Sequence, residues 1–379
     1  MKFLFALLLC LATSLATAQQ TPLPVPPPPT VAAKSWVLYD FQAEQIVAAQ
    51  NPNERIEPAS LTKMMTAYLT YEALRQKRIT LDQVVPVSPR AWKAEGSRMF
   101  IEPNKPVAVD ELIHGMVIQS GNDACIALAE AIAGSEEVFA QMMNQQAQKL
   151  GMKNTNFVNS TGLPDPKHYT TAYDMALLAA ALIRNFPEHY KLNSQKEFRY
   201  NNITQANRNR LLWIDPYVDG VKTGHHENAG YCLVASAKRD SRRLISVVTG
   251  TASEAARAAE SQKLLNYGFQ FYDTVTVYAK GQTVATLTVW KGAADNLKIG
   301  FDRDLFVALP KGDAAKLKAS METRQPLVAP ISAGQEAGML KLTLEEKPVG
   351  EFPLVALESV PAAGIFGRGI DTIRLWFAK

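Results

Sequence analysis

Near Asp273 the spacing of apolar residues changes from that of helices to that of strands, and this change limits the fold more than any other feature of the chain. Beyond it, "VTVYAKGQTVATLTVWKG", "NLKIGFDRDLFVALPKG", "KLKASMETRQPLVAPISAGQ" and "GMLKLTLEEKPVGEFPLVALESV" are short alternating segments broken by Gly, Asp and Pro. They read as a small all-β module, a sandwich, with few side chains suited to chemistry. Before it the pattern is mixed. "KSWVLYDFQAEQIVAAQN" reads as two strands turning near Asp40 to Glu44. "RIEPASLTKMMTAYLTYEALRQK" reads as a helix with Pro58 in its first turn. "PVSPRAWKAEGSRMFIEPNKPV" reads as loop, and "AVDELIHGMVIQSGNDACIALAEAIAGS" as two helices broken at Ser120-Gly121-Asn122 and stopped at Gly134. Further helices end at Gly151 and before Pro187. "YVDGVKTGH", "GYCLVASAKRD" and "RRLISVVTG" are strands, the last two turning at Arg239-Asp240-Ser241, and "SEAARAAESQKLLNYGFQFY" returns to helix. Strands, helices, strands and a helix without βαβ repeats make this an α+β domain.

The termini differ from this body. "MKFLFALLLCLATSLATAQQ" carries one lysine, an apolar run and Ala-Thr-Ala before Gln19, the layout of a secretory signal peptide. The run is too short to span a bilayer comfortably. "TPLPVPPPPT" favours an extended, stiff tether. In "GIFGRGIDTIRLWFAK", apolar residues fall near one helical face, with Arg368, Arg374 and Lys379 supplying charge. Such a helix fits the membrane interface; the alternative is a helix docked on its own protein. The expected division is therefore signal peptide 1–18, tether 19–33, α+β domain 34–273, β-sandwich 274–361 and amphipathic helix 362–379. A net charge of +4, from 40 basic and 36 acidic residues, argues against nucleic-acid binding. No zinc pattern is present, and no metal or other cofactor is expected. After export only Cys125 and Cys232 remain, and a bridge or two small buried residues are both open readings.

Three clusters carry the chemistry. Ser60 and Lys63 stand three apart on a helix, so hydroxyl and amine can meet. Serine becomes a nucleophile when a neighbour takes its proton, and a lysine does so only when neutral. Burial or a second cation makes it neutral, which gives a reason for a lysine on an apolar helix. Alone, the pair is as well read as a serine beside a snorkelling lysine. Ser120 and Asn122, at a helix break, can relay a proton and orient a peptide, or merely cap a helix. Lys222-Thr223-Gly224, on a strand, offers a fixed charge, a hydroxyl and room for a substrate backbone, or simply a solvated edge lysine.

Taken together and in this order, Ser-x-x-Lys, Ser-x-Asn and Lys-Thr-Gly resemble the motif set of penicillin-binding proteins and class A β-lactamases. "IEPASLTKMMTAY", "LIHGMVIQSGNDACIALAE", "NRNRLLW", "VDGVKTGHHENAGYCLVASA" and "AESQKLLNYGFQFY" further resemble the low-molecular-mass penicillin-binding proteins, serine D-alanyl-D-alanine carboxypeptidases of the S11 type. The resemblance covers nearly all of the chain after the tether. It implies a transpeptidase-like catalytic domain, an antiparallel sheet flanked by helices, followed by the sandwich and the terminal helix.

The resemblance also implies roles. Ser60 would be the acylated nucleophile, Lys63 its base, and Ser120 the proton shuttle. Asn122 would orient the peptide. Lys222 would help to keep Lys63 neutral and, with Thr223, Gly224 and the backbone near His225, bind substrate. Arg257 would meet the terminal carboxylate; Arg208 is a substrate-binding candidate or a surface ion pair. The implied partners are peptidoglycan stem peptides ending in D-Ala-D-Ala, β-lactam antibiotics, and the inner-membrane surface through the terminal helix. The implied location is periplasmic, on the outer face of that membrane, as a monomer or weak dimer. A β-lactamase would need an acid in "FVNSTGLPDPKHYTTAYD", where Asp165 and Asp174 stand without the usual Glu-x-x-Leu-Asn pattern. A scaffold that had lost its chemistry would show a broken motif, and none is broken.

Overall fold

The structure, a computed structural model, describes residues 25–364. The signal peptide, the start of the tether and the terminal helix from residue 365 on lie outside the described residues. The first domain is built on β1 (Ser35–Asp40), β2 (Gln45–Gln50), α1 (Lys63–Arg75), α2 (Asn122–Ala133), α3 (Glu136–Lys149), α4 (Ala172–Asn185), β3 (Val218–His226), β4 (Gly230–Arg239), β5 (Arg242–Thr251) and α5 (Glu254–Phe271). Its sheet runs β2-β1-β5-β4-β3, antiparallel throughout. The two halves of the chain therefore meet along β1 and β5, with Val37 opposite Val247.

Both faces of this sheet are covered. Val37, Val234 and Val247 pack into the core shared with α1, α2 and α4, while Trp36, Leu38, Leu233 and Leu244 pack under α5. Burial on both faces explains why these strands read as near-continuous apolar runs. Helix ends follow local chemistry. The hydroxyls of Ser135, Thr171 and Ser253 accept backbone N–H groups at the starts of α3, α4 and α5. Gly134 ends α2 in the left-handed region, at φ 80°, which glycine adopts without a Cβ clash.

Three segments depart from the sequence reading. The loop-like stretch after Val85 contains a short helix, Pro89–Trp92, started by Ser88 as N-cap. Residues 25–33 are docked rather than free: Val25, Val31 and Ala33 pack on the core beneath α5, and Tyr267 Oη donates to Pro26 O at 2.9 Å. Apolar contacts offset the stiffness that the prolines alone suggest. Finally, α1 begins at Lys63, because Ala59–Thr62 forms a single 3-10 turn.

The second domain holds a six-stranded sheet and a two-stranded ribbon, Tyr272–Tyr278 with Leu305–Pro310, around one core that includes Leu297, Val307 and Leu340. Its pairing continues to Ala362, which bridges Gly292. The joint between the domains is polar. Asp40, fully buried, accepts from Arg242 Nε and Nη2 at 3.2 Å each and from Thr274 Oγ1 at 2.5 Å. Gln45 bonds both Ala308 N and Val349 O across the same boundary. No helix among the described residues is long and apolar enough to cross a membrane.

Candidate active site

The 3-10 turn puts Ser60 directly over Lys63, since residues three apart eclipse in that geometry. Lys63 Nζ lies 2.8 Å from Ser60 Oγ and donates to Thr161 O at 2.6 Å. Only 1% of Lys63 is exposed, and burial pushes its pKa down to about 8, with Arg208 adding to the effect. The turn is entered at Ala59, whose φ of 47° is left-handed. Gly162 makes room for it: a Cβ there would sit 1.8 Å from Ala59 O. Thr62 is fixed from the same side. Val158 N–H donates to His168 Nδ1 at 3.3 Å, which leaves the ring proton on Nε2, 2.8 Å from Thr62 Oγ1. Burial lowers the pKa of His168 to about 4, so the ring is neutral.

Ser120 faces this turn from the helix break. It is itself left-handed, φ 68° and ψ 35°, following a π-type turn at Gly115–Gln119. Its hydroxyl accepts from Lys222 Nζ at 2.9 Å, and Lys222 also donates to Thr223 O. Burial first, and then repulsion from Lys63, drives the pKa of Lys222 well below its ordinary value. The repulsion between the two lysines is mutual, so each helps to keep the other uncharged, and Arg208 adds to it at Lys63. Asn122 turns its amide to Glu95 O at 2.6 Å and leaves Oδ1 without a protein partner.

A cleft of about 200 Å³ opens on Ser60 and Ser120 and is lined as well by Arg208, Thr223, Gly224, His225 and Arg257, with Lys63 and Lys222 buried behind the two serines. β3 forms one wall. Gly224 also has a packing role there: a Cβ would meet Pro58 O at 3.0 Å and Leu61 Cγ at 3.2 Å, so it lets β3 press against the serine turn. The His225 ring stacks on Tyr231. Arg257, buried at the start of α5, donates to Gly224 O at 3.2 Å and pairs with Glu254 at 3.3 Å. Arg208 is exposed, lines the cleft at its rim and donates to Ser97 Oγ at 2.8 Å, a hydrogen bond where the sequence left a surface ion pair open.

Several residues at the site escape sequence reasoning. Thr161 acts through its carbonyl. Asp123 accepts from the N–H groups of Met99, Phe100 and Ile101, and so fixes the loop that receives Asn122. An acidic residue directly after a cap candidate was its only signal. Neither acid of a β-lactamase reading stands at the serine: Asp174 accepts from Asn154 N and Thr155 Oγ1, and Asp165 from Lys167 N. Cys125 and Cys232 are free and buried, which settles the open question of a bridge.

This fold and this cleft define the penicillin-binding class. Residues 20–253 match the D-alanyl-D-alanine carboxypeptidase model of peptidase family S11, and residues 272–362 match the C-terminal domain of penicillin-binding protein 5. D-alanyl-D-alanine carboxypeptidase DacC of Escherichia coli K12 is 43% identical over 92% of this chain and 89% of its own length. The structure of penicillin-binding protein 5 from Haemophilus influenzae matches with a TM-score of 0.84 and 41% identity, over 88% of this chain and 99% of that one. Penicillin-binding protein D2 of Listeria monocytogenes, solved in an ampicillin-bound form, matches with a TM-score of 0.59 and 29% identity, over 64% of this chain and 100% of that one. The chain belongs to the D-alanyl-D-alanine carboxypeptidase family of serine peptidases.

Proposed function

We propose that the chain removes the terminal D-alanine from peptidoglycan stem peptides through an acyl-enzyme on Ser60. One observation carries this reading: a buried lysine amine stands 2.8 Å from the hydroxyl of a serine that lines the cleft. Neutral Lys63 takes the Ser60 proton as Oγ attacks the carbonyl between the two D-alanines. The backbone N–H groups of Ser60 and His225 stabilise the oxyanion. The proton passes through Ser120, beside Lys222, to the departing amine. Water then cleaves the ester.

Substrate contacts follow from the unspent capacity of the cleft. Asn122, two residues after Ser120 and with no protein partner for its buried Oδ1, orients the peptide. Thr223 and Arg257 receive the terminal carboxylate, which displaces Glu254 from the guanidinium. β-Lactams present the same carbonyl and carboxylate and acylate Ser60. The product stem can no longer act as a cross-linking donor. The signal-peptide layout of the N-terminal sequence and the basic, apolar C-terminal sequence support a periplasmic enzyme lying on the inner membrane, with the sandwich domain raising the cleft toward the wall.

The test is D-alanine release from a synthetic stem pentapeptide, run beside turnover of a penicillin. Release of D-alanine that disappears in Ser60→Ala, with slow penicillin turnover, is expected. Rapid penicillin turnover without D-alanine release would favour a β-lactamase.

A further inference from the structure

Glu136, in the first turn of α3, is 4% exposed. Its Oε1 accepts from Ser160 N–H at 2.9 Å and from Ser160 Oγ at 2.6 Å. Its Oε2 meets Arg90 Nη2 at 2.7 Å. The carbonyl of Ser160 accepts from Thr66 Oγ1 at 2.6 Å, one turn beyond Lys63 on α1. The next carbonyl, that of Thr161, is the one that receives Lys63 Nζ. A two-residue segment is thus gripped by a buried carboxylate on one side and by the proposed base on the other.

That carboxylate acts on Lys63 in two opposed ways. It fixes the carbonyl that aims the amine, yet its negative charge favours the ammonium form, which cannot take a proton. Arg90 offsets the charge. It sits half exposed on the short helix Pro89–Trp92 and bonds Glu137 as well at 2.6 Å. We propose that Glu136 and Arg90 together are positioning residues for Lys63, Glu136 holding the Ser160–Thr161 carbonyls and Arg90 neutralising the carboxylate so that the amine stays uncharged. The other charged or titratable groups acting around Lys63 are Cys125 and Asp123 from α2, His168 from the loop before α4, Arg208 from the rim and Lys222 from β3. Substituting the pair leaves all five in place. This inference rests on Lys63 as the base.

The test is the second-order rate of penicillin acylation, followed by intact mass from pH 5 to 10. It compares the native chain with Arg90→Met, Glu136→Gln and Glu136→Ala, each with its melting temperature. Arg90→Met bares the carboxylate and moves the acid limb up by about half a pH unit or more, which slows acylation about threefold below the limb and leaves the plateau unchanged. Glu136→Gln keeps an acceptor for Ser160 but loses the charge, so the limb moves down. Glu136→Ala loses both, and its plateau falls about tenfold or more. Limbs that stay fixed in Arg90→Met and Glu136→Gln, whatever the melting temperatures do, overturn the inference and leave the proposed function standing. A native chain that takes up no penicillin overturns both. Arg90 is at the surface, so its variant decides the charge role even if Glu136→Ala fails to fold, and a folded Glu136→Ala with the native plateau overturns the holding role.

Discussion

Lys63 concentrates the chemistry in one side chain. With a pKa pushed down to about 8, about a tenth of the molecules carry a neutral amine at pH 7, and nearly all do so two units higher. Acylation by penicillin should therefore rise through about pH 8 and level off above it; a profile flat from pH 6 to 10 contradicts a lysine base. The pair Ser60 and Lys63 was legible in the sequence because three-residue spacing is a local property. Thr161, Glu136 and Asp123 were not. Thr161 acts through its carbonyl, and the two acids grip the backbone of segments distant in sequence. The packing role of Gly224 was not legible either, since only three-dimensional contact shows β3 pressing on the serine turn.

Among the elements, the helix stops were the most readable, because Gly134 and Gly151, both at positive φ, end their helices locally; the N-caps Ser135, Thr171 and Ser253 act as locally but were not singled out. The 3-10 turn at Ala59–Thr62 was not readable, since it depends on the 158–163 loop beneath it. Gly162→Ala should lose about 3 kcal/mol or more and abolish acylation, because a Cβ would meet Ala59 O at 1.8 Å from a φ of 86°. Urea unfolding checks this, and a loss under 1 kcal/mol contradicts it. His168 ties the same loop to Thr62. Its pKa is about 4 when folded, against an ordinary 6.5, so the unfolded chain binds the extra proton first. The stability it provides is whole above pH 6.5, falls away as the pH drops toward 4, and totals about 3 kcal/mol. Unfolding measured across that window should lose part of its pH slope in His168→Gln.

At the scale of the molecule, the change of period near Asp273 made two domains visible, whereas their joint was hidden. Asp40, Arg242 and Thr274 are far apart in sequence and have unremarkable neighbours. Asp40→Ala strips a buried partner from Arg242 and should cost about 3–5 kcal/mol. Calorimetry should then resolve two unfolding transitions in place of one; a single transition at the native temperature would show that the joint is not a coupling element. The central claim remains that a buried amine activates the Ser60 hydroxyl, and peptide mapping after penicillin treatment tests it most directly. One acyl group on the tryptic peptide containing Ser60, absent from Ser60→Ala and formed about a thousandfold more slowly in Lys63→Ala, is the expected result. An adduct on any other residue, or native-rate acylation of Lys63→Ala, would contradict it.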